Sequence, residues 1–354
     1  MSGFLKNALK QQFGWLSGYN GRQFSSDTVA AIVVTILLVP QSLAYALLAG
    51  LPPKVGIYAS ITPLIAYALL GSSRQLNVGP TAVISLMTAA TIADLPEETR
   101  IIGAAALAFI VGCMLIGAGL LKAGFLMNFV SRPVVSAYIT GAAFLIIVSQ
   151  LRHIVGVESD GRTVLSMIQS LSQQIGQAQG ITMVVGGAAL SLFFLARNSI
   201  AYRLVKAGIS SRRAKMLSRM APIFIIAVFI VASWAGNLEQ LGLAVVGNVP
   251  GGLPPFALPW VEQSLIQSLL VPAAVIAAGW SSGYAVNGSM SRSAVNAAAG
   301  GETPLSGIIV AILMALTAMF LTPLLKPLPL AVLAALIIIA CLSLLDFKSI
   351  WRTW

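Results

Sequence analysis

Two stretches decide the fold, LNVGPTAVISLM at residues 76–87 and AVNGSMSRSAVNAAAGG at residues 285–301. In the first, Gly79 permits close backbone approach and Pro80 suits the opening position of a helix, since the donor that proline lacks has no intrahelical partner there. The apolar run that follows is short, which predicts a half-helix starting inside the bilayer. Its first N–H groups and the positive end of its dipole would be presented to whatever lies in front, an arrangement that suits a negative charge. Thr81 adds a hydroxyl at the same place. In the second stretch, Gly288, Ser289, Ser291 and Ser293 surround Arg292 at the end of an apolar segment. A guanidinium is always ionised and its forked donors match oxyanions, whereas an ordinary arginine at a cytoplasmic helix end would carry no such meaning.

Working outward, 58% of the 354 residues are hydrophobic and 9% charged, with a mean hydropathy of +0.91. Ordinary soluble domains are far less apolar, so lipid is the solvent for most of this chain. Unsatisfied backbone groups are too costly in hydrocarbon for open strands, so helices of about 20 residues are the default. Apolar spans run at roughly 29–50, 55–71, 78–93, 101–121, 133–151, 180–196, 221–236, 264–286, 305–325 and 328–345. Ahead of them Phe4, Leu5, Leu9, Phe13, Trp15 and Leu16 alternate with Lys6 and Lys10, the pattern of an interfacial helix and not of a cleaved signal peptide.

The formal charge of +11 does not indicate nucleic acid, because the basic residues fall in short loops between spans and no soluble basic domain is present. Membrane orientation accounts for them. A cytoplasmic N-terminus places Lys6, Lys10, Arg22, Arg74, Lys122, Arg132 and the cluster from Arg197 to Arg219 inside, with Asp94, Glu97, Glu98, Glu158 and Asp160 outside. Cys113 and Cys341 both lie within apolar spans and are expected to be buried small hydrophobes, while His153 is expected in a loop. The Gly/Pro run VVGNVPGGLPPFALP at 245–259 is an exterior linker between halves. A phosphate loop, an H-E-x-x-H helix and paired catalytic carboxylates are all missing, so the reading includes no enzyme activity, cofactor or metal.

Pro40 interrupts the first span in LLVPQSLAYALLAG at 37–50. It removes a backbone donor and frees a carbonyl one turn earlier, so the helix is expected to bend or unwind there. Gln41, Ser42 and Tyr45 follow, placing polar groups near mid-membrane, where they face a cavity or a neighbouring helix. Two half-helix starts, one in each half of the chain, are the expected sign of inverted repeats around a midplane site.

LLVPQSLAYALLAGLPPKVGIYAS at 37–60, YALLGSSRQLNVGPTAVISLM at 67–87, VVGNVPGGLPPF at 245–256, GSMSRSAVNAAAGGETPLSG at 288–307 and LPLAVLAALIIIA at 328–340 strongly resemble the sulfate permease (SulP) anion transporters. The resemblance implies an all-α, multi-pass membrane protein built as two inverted seven-helix repeats, with a core moving against a gate in elevator-like alternating access. It implies sulfate, bicarbonate, chloride or a related small inorganic anion as substrate, bound by Gln41, Tyr45, Thr81, Ala82, Ser289, Ser291 and Arg292. The lipid bilayer and a second copy in a homodimer are the other partners it implies.

On that pattern, 1–26 is a cytoplasmic amphipathic segment, 27–236 the first repeat, and 237–354 a partial second repeat without a STAS domain. The chain ends at DFKSIWRTW, where two further helices are expected. The interval from SLLVPAAVIA at 268–277 to GSMSRS is about one hairpin short, which would fuse two half-spans into 264–286 and reverse the later helices, putting Lys348 and Arg352 outside. The acidic residue that many members carry there has no counterpart, and Glu239, Glu262, Glu302 and Asp346 lie near loops. A transport-inactive deletion fragment is therefore the alternative reading. A nucleobase carrier of similar architecture is a further one, although a fixed cation suits an oxyanion better than a neutral base.

Overall fold

The structure, a computed structural model, describes residues 18–71, 73–121, 132–158, 161, 163–248, 252–253, 286–342 and 345. The expected N-terminal interfacial helix, residues 264–285 of the span in the shortened interval, and Glu262, Asp346, Lys348 and Arg352 lie outside the described residues.

The first half holds α1 (Gly21–Leu48), α2 (Pro53–Tyr58), α3 (Thr62–Leu70), β1 (Val78–Gly79), α4 (Ala82–Ile92), α5 (Arg100–Leu120) and α6 (Arg132–Val155). It continues through α7 (Val164–Gln174), α8 (Gly180–Leu195), α9 (Ala201–Lys206) and α10 (Ser211–Ala235). The second half contributes β2 (Asn287–Gly288), α11 (Met290–Ala299), α12 (Leu305–Leu316) and α13 (Leu330–Leu342). Among the described residues, Gly21–Leu48, Pro53–Leu70, Glu97–Leu120 and Leu305–Leu325 are helical stretches long and apolar enough to cross a membrane.

α1 is the axis of the molecule. It opens at Gly21, inside the segment predicted to be separate, with a reciprocal cap between Asn20 and Gln23 that satisfies two of the orphan donors of its first turn. It packs against α2, α11, α12 and α13. One apolar cluster joins α1, α12 and α13 to α6 and α8, through residues such as Leu38, Ile146, Phe193 and Met314; a second joins the end of α1 and α2 to α5, through Ala46, Val55, Leu107 and Val111. The α1–α2 contact is backbone-close. A side chain on Gly56 would place its Cβ 1.9 Å from the Ser42 carbonyl oxygen, and the Ser42 and Ser60 hydroxyls sit 2.8 Å apart beside it.

Several expectations are corrected. Of the two outcomes expected at Pro40, unwinding does not occur: the residue lies inside α1, which stays helical through it, held on several sides by packing. His153 is on the last turn of α6, not in a loop. Cys341 is buried as expected, but Cys113 is on an exposed face of α5, where a small apolar side chain needs no protein partner. Of the basic cluster, Arg197 falls in a π-helical turn at Ala196–Ile200 and Arg203 and Lys206 on α9, while Arg212, Arg213, Lys215 and Arg219 belong to the first turns of α10. The helices overrun the apolar spans because their ends need no hydrocarbon around them. The segment read as a linker is a docked strap at its start: Val246 N–H donates to Leu328 O at 2.9 Å, Leu330 N–H to Ala244 O at 2.9 Å, and Val245 bridges to Pro329.

Candidate anion site at the crossing of two half-helices

The two lead-ins meet. β1 and β2 pair antiparallel, Val78 opposite Gly288 and Gly79 opposite Asn287, so α4 and α11 start from one shared point, one from each half of the chain. Two further bonds extend the crossing, with Ser289 N–H donating to Asn77 O and Asn77 N–H to Ser293 Oγ, both at 2.9 Å.

Each helix starts with donors to spare. In α4 the i to i−4 ladder opens with Ser85 N–H on Thr81 O, so the N–H groups of Ala82, Val83 and Ile84 stand ahead of it. Thr81 occupies the cap position in extended backbone without spending its hydroxyl on the helix, and Ala82 is buried beside it. In α11 the cap is Ser289, whose Oγ accepts from Arg292 N–H at 3.4 Å and lies 3.2 Å from the exposed Ser291 hydroxyl. The ladder there opens with Ser293 N–H on Ser289 O.

Arg292 spans the junction with only 2% of its surface exposed. Removing a charge from water costs several kcal/mol, roughly, unless hydrogen bonds replace the lost hydration. Nε donates to Asn77 Oδ1 at 3.1 Å, and Nη1 to Pro80 O at 2.9 Å and Gln41 Oε1 at 3.4 Å. All three acceptors are neutral, so none of them cancels the charge. Nη2 lies 3.0 Å from where a Cβ on Gly79 would be, so the missing side chain of that glycine is what admits the guanidinium. The positive ends of two helices and an arginine thus converge without a carboxylate among these contacts, a geometry that attracts an anion.

Of the residues predicted for the site, Gln41, Thr81, Ala82, Ser289, Ser291 and Arg292 are brought to this crossing. Tyr45 is buried one turn along α1 from Gln41 and takes no part in these hydrogen bonds. Asn77, 2% exposed, and the Pro80 carbonyl were missed; the available signal was an amide side chain set in an apolar run directly before Gly79. Asp27 was missed too. It is fully buried in the second turn of α1, where Oδ1 accepts from the N–H groups of Glu302 (2.8 Å) and Thr303 (3.1 Å) and Oδ2 from the Thr303 and Tyr19 hydroxyls. These bonds, with Ser26 Oγ on Gly300 O at 2.6 Å, tie the start of α1 to the turn between α11 and α12.

A probable sulfate transporter of Mycobacterium tuberculosis is 32% identical over 390 residues, covering 96% of this chain and 66% of the relative. Sulfate transporter 3.1 of Arabidopsis thaliana is 31% identical over 388 residues, covering 97% and 58%. The chain therefore spans less than two thirds of the length of these relatives, and the alignments exceed its own 354 residues, so the relatives hold residues with no counterpart here. Among solved structures, murine Slc26a9, an anion transporter captured inward-facing, superposes with a TM-score of 0.84 at 18% identity, covering 100% of this chain and 66% of the other. The transmembrane domain of a cyanobacterial bicarbonate transporter, BicA, gives 0.78 at 18% identity, covering 93% and 91%. The fold is thus the all-α inverted-repeat membrane fold of those domains, and the chain is an integral, multi-pass membrane protein. The sulfate permease family profile matches residues 24–278 and 271–354, and with the crossed half-helices and their buried arginine in place, the chain belongs to the sulfate permease family.

Proposed function

We propose that this chain is a secondary transporter that binds a small inorganic anion, of the sulfate, bicarbonate or chloride class, between the first turns of α4 and α11. The observation that carries the reading is Arg292 of the second half, buried at the β1–β2 crossing and hydrogen-bonded to neutral oxygens of the first half. In this reading the helix-start N–H groups beside Ala82 and Ser291 and the hydroxyls of Thr81, Ser289 and Ser291 surround the anion, and Gln41 and Tyr45 close the site from α1. A pair of helix dipoles supplies about half an elementary charge each, so the guanidinium provides much of the attraction. Elevator-like movement of the crossing against α6, α8 and α13, which pack on one another, then exposes the site alternately to the two sides, with the N-terminus cytoplasmic and two copies forming the working dimer.

Uptake of labelled sulfate or bicarbonate into proteoliposomes tests this. Uptake above empty vesicles that disappears in Arg292→Ala is expected; wild-type uptake equal to empty vesicles sinks transport by this chain. A second reading, an anion-binding but transport-inactive form, rests on the alignments that run longer than the chain. It predicts anion binding in detergent without uptake.

A further inference from the structure

Asn77 makes three separate hydrogen bonds to the other half of the chain. Its N–H donates to Ser293 Oγ, its carbonyl accepts from Ser289 N–H, and its carboxamide Oδ1 accepts from Arg292 Nε. The first two set where α11 begins relative to α4, and any residue other than proline makes the carbonyl and N–H bonds. The third belongs to the side chain. Nε–H has no acceptor capacity, so the amide must present oxygen to it. That bond fixes the rotation of the guanidinium about its own axis, with Nη1 directed at Pro80 O and Gln41 and Nη2 over Gly79.

We propose that Asn77 is the positioning residue of the anion site, aiming the Arg292 guanidinium while adding no charge of its own. The inference rests on the anion-binding reading above. Its physical core is the difference between an amide and a carboxylate. An Asp in this place would accept the same hydrogen bond with the same reach and would hold Arg292 at least as firmly. It would also set a negative charge against the guanidinium at hydrogen-bond distance, and the bound anion would meet a neutral ion pair in place of a cation. A hydroxyl or an alanine would leave the charge intact and release its orientation. Asn is the small side chain that meets both demands, which accounts for an otherwise costly amide buried in a membrane domain.

The test compares the purified wild-type chain with Asn77→Asp and Asn77→Ala in detergent near neutral pH. Sulfate binding by calorimetry is read beside the Tm without sulfate. Asn77→Asp is expected to keep or raise the Tm and yet to lose sulfate affinity by on the order of a hundred-fold, because the new carboxylate opposes the anion at close range. Asn77→Ala is expected to lose roughly ten-fold, through misorientation alone. A purely structural Asn77 would show affinity following Tm, so undiminished sulfate binding by Asn77→Asp overturns the proposal. If that variant does not fold, Asn77→Ala decides, and wild-type affinity there overturns it as well. Absence of sulfate and chloride binding by the wild type overturns the anion-site reading and this inference with it, which separates the two failures.

Discussion

The carboxylate of Asp27 accepts a hydrogen bond from the N–H of Thr303 at 3.1 Å, joining residues 276 apart in sequence at the start of α1 and the start of α12. The same oxygen takes the Glu302 N–H, so one buried side chain serves two backbone donors of the turn that leads into α12. Asp27→Ala would strand both and is expected to cost about 3 kcal/mol, whereas Asp27→Asn keeps an oxygen for them and should cost about 1 kcal/mol. Thermal unfolding in detergent should therefore rank wild type above Asn above Ala. Equal Tm values for the two variants would show that the tie does not depend on the backbone donors.

Tyr19 lies ahead of α1, and its hydroxyl donates to Asp27 Oδ2 at 3.3 Å. Burial first, and then the negative charge and hydrogen bond of Asp27, push the phenol up to about 12 from 10.0. A raised folded-state value means that the protonated phenol favours the fold. Its contribution is complete below about pH 10 and is lost as the pH climbs through about 12. Titration of tyrosinate absorbance should show one late-ionising tyrosine fewer in Tyr19→Phe than in the wild type. Identical alkaline curves for the two proteins would contradict the contact.

At Gly56 the neighbour is backbone and cannot rotate away, because the Ser42 carbonyl occupies the space that a methyl would need. Gly56→Ala must push α1 and α2 apart, breaking the Ser42–Ser60 contact, at a cost of about 3 kcal/mol or more. A sharply lower Tm is expected. A wild-type Tm would mean that the two helices are looser than their separation implies.

How far the fold was legible depends on the range of the interaction. Gly79–Pro80 and Gly288–Ser289 announce half-helices locally, since the residues that start a helix sit beside one another in the chain. The antiparallel register that joins them, and the Arg292–Asn77 bond, link residues more than 200 positions apart, and neither partner alone states where its mate is. Pro40 was read as a place to bend or unwind because proline is unfavourable in an isolated helix; α1, packed on several sides, does not unwind there. Asp27 was not singled out because the helix that buries it begins at Gly21, before the apolar run does. Cys113 misled for a different reason. An apolar span in a membrane protein has a lipid-facing side, so residence in a span does not mean burial in protein.

Gly79 and Arg292 pose the last test, because there the neighbour is flexible. A Cβ at Gly79 would stand 3.0 Å from Nη2, the far end of a long side chain, so Gly79→Ala should fold with little change in Tm. What must give is the guanidinium, the group argued to face the anion. Sulfate affinity should fall roughly ten-fold, the scale of one misplaced charged hydrogen bond. Arg292→Lys is the complementary change. It keeps the positive charge but has no planar fork with which to reach Asn77 Oδ1 and Pro80 O together, so both affinity and Tm should fall. A loss of binding without a loss of stability in Gly79→Ala, beside a loss of both in Arg292→Lys, separates the arginine's hold on the anion from its hold on the crossing. If Gly79→Ala binds sulfate as the wild type does, Nη2 is not part of the anion's environment and the site must be drawn around the helix starts alone.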